Sequence, residues 1–153
     1  MPGPLLSVPL HRMRQTADCL AACVAMVFDY LGHPANYDQL PRVLDVGEFG
    51  TPAQRVQRLT RLGIAVEYGE GEPARLEALI DTGQPVIVLV HTRELPYWQG
   101  FDTYHSVVVV GYDATHIYVN DPHFDNAPIQ VTKDDFWLAW LEMSNRYAII
   151  SLQ

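Results

Sequence analysis

The chain is short of cysteine, of positive charge and of long apolar runs, and each shortage narrows what it can be. Two cysteines allow at most one disulfide. Cys19 and Cys23 stand four apart near the start of one expected helix, a geometry that suits a disulfide poorly. Free thiols and a reducing, cytoplasmic setting are therefore expected. Ten Lys and Arg face eighteen Asp and Glu, for a formal net charge of -8. That balance lacks the basic stripe needed to neutralise nucleic-acid phosphates, and it argues against attachment to anionic lipid. No apolar stretch approaches membrane-spanning length, so no membrane insertion is expected. The opening ten residues are too proline-broken for a secretion signal and lack a basic start. There is no internal repeat, low-complexity tract or linker.

What is present is enough for one domain over residues 1–153, with 48% hydrophobic residues to build a core. A nearly all-round apolar helix is expected from about Cys19 to Leu31, with Asp18 as N-cap and Gly32 as terminator. A short helix should cover Tyr37 to Val43. Thr51-Pro52-Ala53-Gln54 opens another, with Val56, Leu59 and Leu62 on one side and an end at Gly63. Ile64 to Tyr68 alternates as a strand, and Pro73 to Ile80 reads as a helix. Then the pattern changes to β-branched runs: Val86 to His91, Tyr104 to Tyr112 and His116 to Asn120, with Ile129 to Val131 as a short strand. Thr132 and Asp135 cap a last helix whose Trp137 and Trp140 belong to the core, and Tyr147 to Leu152 closes the chain as a strand. Helices first and a mostly antiparallel sheet afterwards make an α+β fold.

Chemistry gathers around Cys19. A thiol at a helix start meets unpaired N–H groups and the positive end of the helix dipole, which favour thiolate. Against this stands the ordinary fate of a free cysteine, a small buried apolar residue. A cysteine nucleophile needs a base, a group to orient it and oxyanion donors. Among six histidines, His105 is best placed, at the beginning of a rigid strand after a long loop. If that strand and the next form a hairpin, Asp121 folds back towards His105 and can accept its N–H; the plain reading of Asp121-Pro122 is a turn that ends a strand. The loop Thr92 to Thr103 carries Tyr97, Trp98 and Phe101 to His105. These rings are candidates for a substrate-cleft wall, or for a small core beneath the loop. Cys23 is expected in the core. Cys19, Cys23 and His105 fall within zinc spacings but lack a second tight Cys/His pair, so neither metal nor cofactor is expected.

Gln15, the run Asp18-Cys19-Leu20-Ala21-Ala22-Cys23-Val24-Ala25-Met26, the run Tyr104-His105-Ser106-Val107-Val108-Val109-Val110-Gly111-Tyr112-Asp113 and then Asn120-Asp121-Pro122 together resemble the bacteriocin-processing leader peptidases. That family is papain-like and cuts leaders after a double glycine, typically as a domain of peptide-exporting ABC transporters. The resemblance covers nearly the whole chain. It implies a papain-like fold whose central helix carries the nucleophile. It implies Cys19 as nucleophile, His105 as base, Asp121 as its orienter and Gln15 as an oxyanion donor beside the Cys19 N–H. The family commonly has glycine after the cysteine; Leu20 stands there instead and is expected to border substrate and narrow its approach. The substrate expected is a peptide or unstructured tail, with a separate transporter as a further partner. Acyl transfer on the same thioester and a non-catalytic peptide-binding domain are the rival readings.

Overall fold

The valine-rich segments become the centre of a single sheet. In the computed structural model, which describes residues 5–15, 18–34, 37–44 and 53–152, β2 (Val86–His91) and β3 (Tyr104–Tyr112) pair antiparallel, with Val86 opposite Val109 and His91 opposite Tyr104. β1 (Ile64–Glu70), β4 (His116–Asn120), β5 (Ile129–Thr132) and β6 (Arg146–Leu152) complete six strands in the order β1-β6-β2-β3-β4-β5. Every neighbouring pair is antiparallel. The central strands are covered on both faces, which is why they read as unbroken apolar runs rather than alternating ones.

One face is covered by α1 (Cys19–Tyr30), in which every residue from Leu20 to Phe28 is buried. It packs with Ile87, Val108, Val110, Ala148 and Ile150 of the sheet. α2 (Leu40–Leu44) and a 3-10 helix over Ala53–Leu62 add Leu40, Leu44, Val56 and Leu59 to the same core. On the other face α3 (Pro73–Asp81) and α4 (Lys133–Leu141) bring Leu76, Ile80, Phe136 and Trp140 against Val86, Val88, Val107 and Val109. Trp137 is partly buried beside them. The layout is the expected α+β arrangement, with a buried helix carrying Cys19 against an antiparallel sheet.

Several local expectations are refined. The segment after Tyr37 is a 3-10 turn, Tyr37–Gln39, followed by α2 rather than one helix. Ala53–Leu62 is 3-10, so side chains three apart eclipse; Val56 and Leu59 line up and are buried, but Leu62, at the last position, is 46% exposed. The Thr51-Pro52 cap expected for it lies outside the described residues. Asp18 occupies the N-cap position of α1 without a side-chain cap bond; its carboxylate instead accepts from the Tyr37 hydroxyl at 3.4 Å. At the other end Gly32 takes φ +74, and the Gly32 and His33 N–H groups return to Asp29 and Phe28, the closure that a left-handed glycine permits.

Two further features position the site. The N-terminal segment lies along β3 and β4: Leu6 N–H donates to Val110 O at 2.7 Å, Asn120 Nδ2 to Val8 O at 2.8 Å, and Met13 N–H to Pro122 O at 3.0 Å. This strap brings the chain to the end of β4 just before α1 begins. In addition, the β3–β4 register shifts between Val109 and Gly111, a bulge that bends and twists the hairpin. Among the described residues, no helix is long and apolar enough to cross a membrane.

Packing on both faces of the sheet predicts unequal responses to truncation. Phe28→Ala, in the fully buried face of α1, is expected to lower unfolding stability by about 3–5 kcal/mol, and Leu62→Ala to change it by no more than about 0.5 kcal/mol, both read from urea denaturation midpoints.

Candidate active site

Three elements end at one place. Cys19 is the first residue of α1, partly exposed. His105 is the second residue of β3 and is buried, and Asp121 follows the last residue of β4 and is fully buried. His105 Nε2 lies 2.7 Å from Asp121 Oδ1. That leaves Nδ1 as the ring nitrogen available to the Cys19 thiol, whose ionisation His105 favours. The result is a thiol–imidazole–carboxylate line. Of the six histidines, the one that acts on the Cys19 thiol is His105; His91, at the end of β2, is held by Glu142 and Asp102, and His11 by Asp29.

The electrostatics suit an ion pair. Burial pushes the Cys19 thiol up, but the His105 hydrogen bond and charge, with the Ser106 N–H and hydroxyl, outweigh it and leave the thiol below its ordinary value. Burial pulls the His105 imidazole down, yet its bonds to Asp121 and Cys19 prevail and raise it to about 9. Cys23, one turn further along α1, has no such help, and burial pushes its thiol well above the ordinary range. One helix thus holds two sulfurs shifted in opposite directions, distinguished by what surrounds each.

Asp121 is the best-anchored member. Oδ1 accepts from His105 and from the His123 backbone N–H at 2.9 Å; Oδ2 accepts from the Tyr97 hydroxyl at 2.7 Å and Trp98 Nε1 at 3.0 Å. Burial raises its carboxyl, and these donors, His105 foremost, bring it below the usual carboxylate range. A buried carboxylate with four donors stays ionised and fixed in orientation, as needed to hold an imidazole in one tautomer.

The aromatic loop therefore has a structural duty beside any contact with substrate. It is folded as two short 3-10 turns, Thr92–Glu94 and Pro96–Trp98. Buried Thr92 ties its ends: Thr92 Oγ1 donates to Phe101 O at 2.6 Å and accepts from Thr103 N–H at 2.8 Å. Trp98 is buried, Tyr97 is half-buried and Phe101 is 64% exposed. Trp98 belongs to the core cluster that Tyr97 joins, as the small-core reading of the loop expected, while Phe101 faces outward.

Two other placements differ in kind. Leu20 was expected to narrow the approach to Cys19, but it is buried with 2% exposure and faces Tyr68, Ile87 and Ala148 in the core. Successive helix residues are about 100° apart, and α1 turns this side chain into the sheet while Cys19 stays at the surface. Gln15 is exposed, four residues before the thiol, and its carbonyl accepts the Asp18 N–H at 3.1 Å in the turn leading into α1. The participants not anticipated are Ser106 and the His123 backbone. Ser106 is adjacent to His105, and neighbouring strand residues point to opposite faces, so its role depends on how α1 lies across the strand. Among the described residues, no three His, Cys, Asp or Glu side chains form a metal-ligand group.

Selective alkylation checks the ion pair. At pH 6 an ordinary thiol is only about 0.3% ionised, so Cys19 is expected to react with iodoacetamide at least about 100-fold faster than Cys23, and His105→Ala to remove most of that advantage. The pair exists above the lowered Cys19 value and disappears as His105 deprotonates near 9; the rate of any reaction needing both forms falls on each side. Tyr97→Phe removes one donor to a buried charge and is expected to cost about 1.5–3 kcal/mol of stability, measured by denaturant unfolding.

The chain's similarities agree with this geometry. The model of the Peptidase_C39-like family matches residues 5–148. No curated protein sequence is significantly similar. Among solved structures, a C39-like peptidase from Bacillus anthracis superposes with a TM-score of 0.81 at 18% identity, covering 100% of this chain and 99% of that one. A double glycine motif protease from an AMS/PCAT transporter, solved in complex with the leader peptide, gives 0.74 at 19% identity, with 100% and 99% covered. The peptidase domain of Streptococcus ComA, a bi-functional ABC transporter involved in a quorum-sensing pathway, gives 0.73 at 21%, with 94% and 98% covered. These identities establish a shared fold. The family match, running from the N-terminal strap into β6, takes in every helix and strand around the site: the chain belongs to the Peptidase_C39-like family, papain-like cysteine peptidases.

Proposed function

We propose that the chain hydrolyses peptide bonds through a thioester on Cys19, and that its substrates are leader peptides or similar unstructured segments. The observation that carries this is the line from the Cys19 thiol through His105 to the four-donor carboxylate of Asp121. The thiolate attacks the scissile carbonyl, and negative charge builds on its oxygen. Gln15 and the Cys19 N–H at the helix start are the donors assigned to that oxygen. As the C–N bond breaks, imidazolium His105 gives its proton to the leaving amine. Neutral His105 then takes a proton from water, whose oxygen attacks the thioester, and the acid product and thiolate are released. Asp121 keeps the ring aligned throughout and needs no proton of its own.

The substrate class is suggested by the relatives. One is a double-glycine motif protease bound to a leader peptide, and another is the peptidase domain of an ABC transporter. By that analogy a separate transporter is a candidate partner, with a cytoplasmic site of action. Phe101, Tyr97 and Trp98 are assigned to the border of the substrate path, and Leu20 is removed from it by its burial.

Incubation with synthetic peptides containing a Gly-Gly leader junction tests the proposal by mass spectrometry. Cleavage with a transient acyl adduct on Cys19 is expected, and Cys19→Ala and His105→Ala should abolish it. Gln15→Ala is expected to lower kcat by about 10²–10³ with little change in KM, the mark of a lost oxyanion donor. If no adduct forms on Cys19 with any peptide, the peptidase reading fails.

A further inference from the structure

Beside His105 and Asp121, the surface opens into a cavity of about 320 Å³ lined by Tyr97, Trp98, Gln99, Phe101, His123 and Phe124. Its walls are continuous with the catalytic line. The Trp98 ring stands edge-on to His105 with centroids 5.0 Å apart, and His123 stacks on Trp98 at 4.6 Å. Phe124 meets Trp98 and Tyr97 edge-on at 5.2 and 5.1 Å. Gln99 (φ 54) and Gly100 (φ 85) both take left-handed backbone, a sharp bend after which Phe101 is left 64% exposed.

The reaction assigns a direction to this cavity. The acyl half of the substrate stays on Cys19, while the amine half is released against the imidazole that protonates it. Chain on the amine side therefore leaves past His105 and reaches the Trp98–His123 pair within two ring-to-ring steps of 5.0 and 4.6 Å. An extended residue spans roughly 3.3 Å, so the cavity lies within about three residues of the cut bond. None of its six lining residues is an acid, a lysine or an arginine. The Asp121 carboxylate behind the wall is already held by four donors. The volume is at the small end for a ligand pocket, whose usual range is roughly 300–1,000 Å³, and suits a single large side chain.

We infer that this cavity is a specificity subsite for an aromatic or large aliphatic residue among the first three positions after the scissile bond. The inference rests on the peptidase reading and adds a sequence requirement on the released half of the substrate. Peptides differing only by Phe or Ala at each of those three positions test it. Phe at one position is expected to raise kcat/KM about tenfold over Ala, and Phe101→Ala to reduce that ratio below about threefold. Phe101 is mostly exposed, so the variant should fold, and an unchanged melting temperature checks this. Equal rates for Phe and Ala at all three positions would overturn the inference. So would a preference untouched by Phe101→Ala, or one that Phe101→Ala shifts only at positions before the cut. Binding of the same fluorescent peptides to Cys19→Ala protein, read by anisotropy, separates the two proposals. Tighter binding of the Phe peptide without cleavage by the parent protein would sink the peptidase reading and keep the subsite; cleavage with no Phe preference would do the reverse.

Discussion

A buried carboxylate is the constraint on which the rest of the site depends. Asp121 has no exposed surface, and an ionised group in that position is tolerable only if its lone pairs are filled. His105, the His123 backbone, Tyr97 and Trp98 fill them. They come from three parts of the chain: the start of β3, the turn after β4 and, for both Tyr97 and Trp98, the aromatic loop. Satisfying one charge therefore fixes three segments relative to one another. The imidazole that results is locked in place before any substrate arrives, and preorganisation of this kind is what a catalytic base requires.

The same economy explains the aromatic loop. Its rings bury apolar area, as any satellite core would, but the Tyr97 hydroxyl and the Trp98 indole also carry polar ends, and these point at Asp121. An apolar body with a polar tip is what distinguishes these residues from Phe or Leu. On their far side the rings form a cavity, so one layer of side chains serves the carboxylate behind it and faces solvent in front. That dual use ties the proposed recognition surface to the proposed catalytic geometry.

The sheet and the central helix divide the remaining work. α1 is buried along almost its whole length and cannot shift without opening the core, so the thiol at its first residue is held as firmly as the sheet itself. The contrast between Cys19 and Cys23 shows how local the activation is. Both sulfurs sit on one helix, one turn apart; one meets His105 and Ser106, and the other is enclosed by apolar side chains.

Periodicity and residue type alone determined most of the secondary structure. The unbroken valine runs, the apolar helix after Asp18 and the Gly32 terminator were legible because each follows from local backbone preference and burial pattern. The pairing of His105 with Asp121 was legible from the hairpin that their strands form. What only the tertiary structure decided lies between elements. The burial of Leu20 depends on how α1 rolls against β6 and β2, which the residue's own position cannot specify. The bond from Trp98 to Asp121 depends on a loop folding back over 23 residues, and the influence of Ser106 on Cys19 depends on where the helix start meets the strand. Sequence pattern records which face of an element is apolar; which polar atom meets which across the gap is set by packing of the whole.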